Sequence, residues 1–380
     1  MKKALKISGI TLASLLGVVL IAVLMVVYVV FTPERLTPIV KKVLPEVVTC
    51  EADLNKVELT FFSTFPQFGL ELDDVCLQNP MVGANDTLAF VDELVATVDV
   101  WAFLTENKVQ LNSFYLKNVA ANIFVDSCGR ANYDIFPPSE AVEDTSAFVF
   151  PFDFIAVDAV KIENLCATYN DFQSGIAASV DQFDCEVDAQ LSAVFDGEAS
   201  LQTNIKSLSA KMAGENPILA DVANLALEVK AEKKADLIDG KLMLCLPDAS
   251  FKMGESVFLQ NRRLLFDIPL SALVDSLKVN LEKAKLALDD HEIVLNGLAQ
   301  YCENQDIVMN LDFSTNKWVL SELFPLVPEE YASLLDGIEA DGEVLLQGNV
   351  AGVYNDSVFP KIAANLLLEN GKAYYEGVPY

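Results

Sequence analysis

From about residue 50 onward the chain trades apolar and polar side chains with a period of two, the pattern of strands with one oily and one wet face. The clearest run is "FDCEVDAQLSAVF". Phe183, Cys185, Val187, Ala189, Leu191, Ala193 and Phe195 take the odd positions, and Asp184, Glu186, Asp188, Gln190 and Ser192 fall between them. After "DGE" the odd phase continues through Ala199, Leu201, Thr203 and Ile205, which predicts a hairpin joined at Asp196-Gly197. The pattern returns at Leu225, Leu227 and Val229; at Leu242, Leu244 and Leu246; at Ile307, Met309, Leu311 and Phe313; and at Ile362, Ala364, Leu366 and Leu368.

One stretch breaks step. In "FPQFGLELDDVCLQNP", Phe68, Leu70 and Leu72 alternate with polar or small residues, Asp73 and Asp74 intervene, and the alternation resumes on Val75 and Leu77. One reading is a single strand with a bulge that curls the sheet. The other is two strands joined by a polar turn.

Helical spacing is rarer. Leu36, Ile39, Val40, Val43 and Val47 predict a short amphipathic helix after Thr32-Pro33, lying near a membrane surface, with Pro38 and Pro45 expected to bend or break it. A plain linker is the alternative. Residues 269–277 and 320–337 also have helical spacing, and "FPPSEAVEDTSAF" (136–148) reads as a linker. The strands lie too close together for helical crossovers, so the sheet is expected to be antiparallel. Its apolar face must close on itself, pack on another sheet, or cover something else. A packed sandwich or barrel core and an open apolar groove both satisfy the pattern. Small residues such as Ala178, Ala189, Ala193 and Ala199 leave room that a tight core fills.

Residues 7–31 hold no charged side chain over 25 positions, enough to cross a bilayer, and Lys2, Lys3 and Lys6 flank them on the N-terminal side. The run is longer than a secretory h-region and no small-x-small site follows it, which predicts an uncleaved single-pass anchor with a cytoplasmic N-terminus. From residue 32 onward 23 basic residues face 55 acidic ones, within a net charge of -29. Such a surface repels phosphate backbones, which argues against nucleic acid as a partner. The seven cysteines lie no closer than 19 residues apart, so no zinc knuckle is spelled out, and buried small hydrophobes describe them better than a disulfide framework. The lone histidine, His291, sits in an alternating run and reads as structural. No P-loop, GxGxxG, HExxH, EF-hand or GxSxG pattern is present, and no acid pair stands out. The expectation is a protein with no cofactor, no metal and no catalytic residue.

With the anchor placed, the run from Thr32 to about Phe136 resembles the N-terminal region of the AsmA family of bacterial envelope proteins. The shared order is a span, a short helix, a strand ending in Phe-Pro, a "glxlxdvxlxNP"-like segment, further strands, and a "D-x-x-G-x-x-N" turn with Asp126, Gly129 and Asn132 in place. The chain departs at "VVTCEAD", which lacks a Gly-Arg pair frequent in the family. Many relatives are longer, so the strand-rich region is expected to continue beyond Tyr380. The resemblance implies a mainly β protein. A transmembrane anchor (1–31) leads to an AsmA-like module (32–140) and a strand-rich periplasmic region (141–380). Together these form an elongated, curved antiparallel sheet with a groove and a few short helices. It also implies an inner-membrane protein of outer-membrane biogenesis that shields or transfers phospholipid acyl chains, with envelope assembly proteins as possible partners. A non-enzymatic scaffold for outer-membrane protein assembly is the alternative. An anchored glycan-binding or signalling domain fits less well, given only two tryptophans. The residues expected to line the groove are Phe68, Leu70, Leu72, Val75, Leu77, Ala178, Val180, Phe183, Val187, Ala189, Leu191, Ala193, Phe195, Leu201, Ile205, Met309, Leu311 and Phe313.

Overall fold

A computed structural model describes residues 32–60, 68–81, 87–98, 111–136, 159–191, 196–302, 305–324, 327, 336–355 and 357–375. The expected anchor at 1–31, most of the expected linker at 136–148, Ala193 and Phe195 lie outside them. Among the described residues no helix is long and apolar enough to cross a membrane. The chain is mainly β and divides into two compact units, Met1–Asn118 with Asn132–Val157, and Val119–Ala131 with Asp158–Tyr380.

The first unit is helix on sheet. Helix α1 (Pro33–Val47) runs unbroken through Pro38 and Pro45. Its Leu36, Val40 and Leu44 pack against Leu54, Val57 and Val75, and this tertiary packing holds it. Of the expected stripe, Leu36 and Val40 pack here and Val47 packs against Val48 and Cys50, whereas Ile39 is 60% exposed. Thr37 on the same helix accepts the Val57 backbone N–H through its Oγ1 at 2.9 Å. The strands are β1 (Ala52–Asp53), β2 (Lys56–Thr60), β3 (Phe68–Gln78), β4 (Thr87–Val98) and the first half of β5 (Leu111–Val125). Strand β3 pairs antiparallel with β1, β2 and β4. It is one strand, not two. Asp74 has φ 52° and no partner in β4, so Asp73 still faces Glu93 while Val75 faces Val91. From Leu72 facing Leu94 to Val75 facing Val91 both strands step by three, which returns Val75 and Leu77 to the side of Leu70 and Leu72.

The second unit is an open, curved antiparallel meander. It comprises β6 (Ala159–Asp171), β7 (Ile176–Leu191), β8 (Gly197–Met212), β9 (Ile218–Lys234), β10 (Leu237–Met253), β11 (Ser256–Leu273), β12 (Lys278–Leu288), β13 (His291–Tyr301), β14 (Ile307–Thr315), β15 (Trp318–Val319), β16 (Ile338–Tyr354) and β17 (Lys361–Tyr375). Each pairs with its sequence neighbour, except that β16 takes both β14 and the two-residue β15. The expected hairpin forms, with Leu191 opposite Gly197. Asp196 Oδ1 accepts the Ala235 backbone N–H at 2.8 Å and so ties this turn to the next one.

Two helical expectations are corrected or cut short. Residues 269–273 belong to β11, and 274–277 form the turn to β12. Pro269 is tolerated in a strand because the register to β12 shifts between Asp267 and Leu270, where no ladder bond is needed from it. Of 320–337, the described helix is one turn, α2 (Leu320–Leu323), against β15 and β16.

All seven cysteines are free. Cys50 is buried and its thiol is pushed above the ordinary value by desolvation. Cys128 is exposed and the others are half-buried, so the buried-hydrophobe reading holds for Cys50 alone.

Candidate functional site

Residues directly opposite each other in an antiparallel pair share a face. Following such pairs through the second unit traces one row across eleven strands. It runs Ile162, Cys185, Thr203, Leu227, Leu244, Phe266, Leu286 and Ile293 to Thr315. The Thr315 hydroxyl accepts the Leu346 N–H at 2.9 Å, and Leu346 faces Leu366. At about 4.8 Å per strand the row is roughly 48 Å long, more than the ~30 Å hydrocarbon core of a bilayer. A second row runs from Ala189 through Ala199, Ala231, Gly240, Leu270, Leu281 and Gly297 to Leu311, Val350 and Ile362. Where this row is alanine and glycine the sheet is thin. An open recess of about 580 Å³ lies behind this stretch on the opposite, charged face, lined mostly by polar-face residues such as Glu198, Lys230, Asp239 and Lys241. Gly348 faces Phe313, and a Cβ there would meet the Phe313 ring and the Ala363 carbonyl at 2.5 Å and 2.3 Å.

The rows stay on one side because each phase break is matched. Strands β7 and β8 pair Val180 with Leu208 and next Phe183 with Ile205, a step of three on both where alternation allows two. Strands β8 and β9 repeat this with Val222 and Leu225. Asn164, Gln182, Asn224 and Asn261 occupy these breaks with φ between 50° and 57°. Asparagine is among the residues that adopt this left-handed conformation most readily. The backbone N–H that a bulge orphans is met by a side chain from the next strand. Asn164 donates to Asp184 Oδ1 (2.8 Å), Asn261 to Ser250 Oγ (3.0 Å) and Lys283 to Asn296 Oδ1 (2.7 Å). Together the breaks crease the sheet across β6 to β11 and give it its curvature.

The opposite face carries the charge, in cross-strand pairs such as Lys241 with Asp267 (2.8 Å) and Lys317 with Glu343 and Glu369 (2.9 and 2.6 Å). Those two carboxylates hold the Lys317 ammonium well above its usual value.

The expected lining residues divide between the units. Leu70, Leu72 and Val75 pack under α1, and Leu77 joins Val48, Cys50, Leu88 and Ile135, so these four are core. Phe68 lies half-buried at the start of β3. Ala178, Val180, Phe183, Val187, Ala189, Leu191, Leu201 and Ile205 lie on one face of β7 and β8. Leu311 joins that face through the second row, with Met309 and Phe313 at alternate positions beside it. Among the described residues of this unit, little on that face is fully buried. The buried apolar side chains are Val119, Val125, Ala249, Ala284 and Val344, whereas Ile362 and Leu366 are 70% and 64% exposed.

Two features of this face carry no signal in an alternation pattern. His291 faces Leu288, so it lies on the apolar side, with its ring 5.7 Å from that of Trp318 in a T-shaped contact. Arg262 faces Ala249 on the same side and is paired with Asp289 at 2.9 Å.

The turn after β5 is built on Asp126. Its carboxylate accepts the N–H groups of Cys128 (2.8 Å) and Arg130 (2.9 Å) and the Arg130 guanidinium (2.7 Å). These bonds lower its pKa, the Arg130 backbone N–H most of all. Gly129 supplies φ 79°, and Asn132 is completely buried. The D-x-x-G-x-x-N pattern is thus a hydrogen-bonded structural turn rather than a reactive site. Asp126, Gly129 and Arg130 belong by contact to the second unit and Asn132 to the first.

Residues 1–175, just under half of the chain, match the AsmA family. No curated protein and no solved structure matches.

Proposed function

We propose that this chain, whose residues 1–175 match the AsmA family, is an envelope protein of the inner membrane whose second unit shields phospholipid acyl chains along its apolar face. One observation carries this reading: an in-register apolar row runs across eleven strands, and among the described residues of that unit no second layer packs on it. In a sandwich the row would be sealed at about 10 Å by another sheet. Left open, it covers hydrocarbon at about 0.8 kcal/mol per buried CH₂, so two acyl chains gain substantially without specific side-chain contacts. On this reading residues 1–31 anchor the chain, the N-terminus is cytoplasmic, the bulk is periplasmic, and no bond is made or broken. The acidic outer face keeps the sheet from lying flat on anionic headgroups.

Mass spectrometry of lipids extracted from detergent-free residues 32–380 tests this. Phospholipid bound near stoichiometrically is the expected result. A lipid-free, folded and soluble fragment would leave the scaffold role as the better account.

A further inference from the structure

Arg262 sets a charge on the apolar face. Register places it at the end of an apolar row that runs from Val180 through Leu208, Val222 and Ala249 to Arg262 itself. Four strand spacings make this row about 19 Å long, the order of one acyl chain, which fills half of a ~30 Å hydrocarbon core. The guanidinium donates through Nη1 to Asp289 Oδ2 at 2.9 Å, and Asp289 Oδ1 accepts the Arg263 backbone N–H at 3.0 Å. Among the described residues no other hydrogen bond or ion pair engages the Arg262 side chain. A guanidinium has five N–H donors, so most of this fork has no protein acceptor. The pair is open to an incoming group, its side chains being 32% and 30% exposed.

Such a pair is out of place beneath hydrocarbon. Acyl chains laid over it would strip away its water, and two charges taken out of water regain that loss only where further hydrogen bonds satisfy them. The polar end of a lipid supplies those bonds. A phosphate matches the planar guanidinium fork, and an ammonium matches the Asp289 carboxylate. A headgroup with one charge of each sign therefore complements both partners. An anionic headgroup that lacks the ammonium would set its phosphate beside Asp289 with nothing to offset the repulsion. Asp290 and Glu292, next along the chain, weigh further against an unbalanced anion.

We propose that Arg262 and Asp289 form a headgroup subsite for a zwitterionic phospholipid. Arg262 donates to the phosphate, Asp289 accepts from the ammonium, and the acyl chains lie along the apolar rows. The subsite rests on the shielding function proposed above and adds a substrate class to it: phospholipids whose headgroup carries an ammonium.

The test is a three-way competition on the full chain, purified in a fluorinated detergent. It is incubated with equal amounts of dioleoyl phosphatidylethanolamine, dioleoyl phosphatidylglycerol and dioleoylglycerol, and retained lipid is quantified by mass spectrometry. A hydrogen bond to a charged group is worth roughly ten-fold, so the wild type is expected to retain the ethanolamine lipid about ten-fold over each of the others. Asp289→Asn keeps an oxygen for the Arg263 N–H and removes the charge, and should bring the ethanolamine-to-glycerol headgroup ratio to one or below. Arg262→Gln should lower both phospholipids severalfold. Dioleoylglycerol retention should be unchanged in both variants, because the apolar rows are intact. Equal retention of all three by the wild type, a wild-type preference for phosphatidylglycerol, or preferences that survive both substitutions overturn the subsite and leave shielding intact. Retention of no lipid at all overturns both.

Discussion

Asp184 accepts the backbone N–H of Asn164 across the β6–β7 pair, Oδ1 to N 2.8 Å, at the position where β6 changes phase. The contact ties a polar-face carboxylate to the side on which apolar residues lie. Without the bulge at Asn164, Val160 and Ile162 would point away from Leu165 and Ala167. Replacing Asp184 with Ala should cost about 0.5–1.5 kcal/mol locally. Hydrogen exchange across residues 159–171 should accelerate severalfold while distant strands keep their rates. Unchanged exchange there would mean that the bulge holds itself.

The two units should answer core truncation differently. Leu54 is 2% exposed under α1, so Leu54→Ala should destabilise the first unit by about 2–5 kcal/mol. Leu244 lies half-buried on an uncovered face, so Leu244→Ala should cost about 1 kcal/mol or less. Limited proteolysis in urea, followed separately for each unit, reads both values. Equal costs would show that the face is sealed.

Glu71 gives a pH dependence. Burial first, then the charges of Asp73, Glu93 and Glu58, raise its carboxyl pKa above the ordinary value. An acid whose folded pKa is raised binds more protons folded than unfolded. Its ionisation therefore removes stability as pH rises from about 4.3 through the raised value. Glu71→Gln should stabilise the first unit at pH 7, by roughly 0.2–1 kcal/mol for a partly screened group, and should lose that advantage near pH 4. Thermal unfolding at the two pH values measures it, and an equal gain at both would rule out the charge as its origin.

A charge in the long row separates folding from binding. Leu227 lies between Thr203 and Leu244 in the row. Leu227→Glu should leave the far-ultraviolet circular dichroism of the sheet unchanged, because an uncovered face lets the carboxylate stay hydrated. The same carboxylate would face hydrocarbon in a loaded groove at a cost of several kcal/mol. Extracted lipid per chain should therefore fall severalfold. Retained lipid would move the binding surface elsewhere.

Much of the fold was legible because strand polarity is written residue by residue. The odd-position run from Phe183 and the hairpin at Asp196 both followed from a period of two. The break at Asp73-Asp74 was legible as a bend within one strand, since a polar residue that tolerates positive φ sat where the phase changed, although β4 steps with it and no bulge results. Residues 269–277 misled because Leu270, Leu273 and Val274 fall at helical intervals by coincidence, and ladder register outweighs so short a pattern. Pro38 and Pro45 misled in the opposite sense, because packing of Leu36, Val40 and Leu44 holds the helix through both. The core status of Leu70, Leu72, Val75 and Leu77 could not be read locally, for it depends on α1 covering the first three and on Val48, Cys50, Leu88 and Ile135 packing on Leu77. The His291–Trp318 contact was equally hidden, since it joins residues 27 positions apart through the register of β12 to β16.

Pairing in the second unit links almost only consecutive strands, and this makes its length a matter of counting. Excising one hairpin, such as β8 with β9, would bring Val187 of β7 opposite Leu242 of β10 with sidedness preserved, because both rows run through those strands unchanged. Each hairpin gained or lost then alters the oily track by about 9.6 Å, two strand spacings, without redesign of what remains. A lineage could tune the reach of such a protein by duplication alone, as one lengthens a ladder by adding rungs.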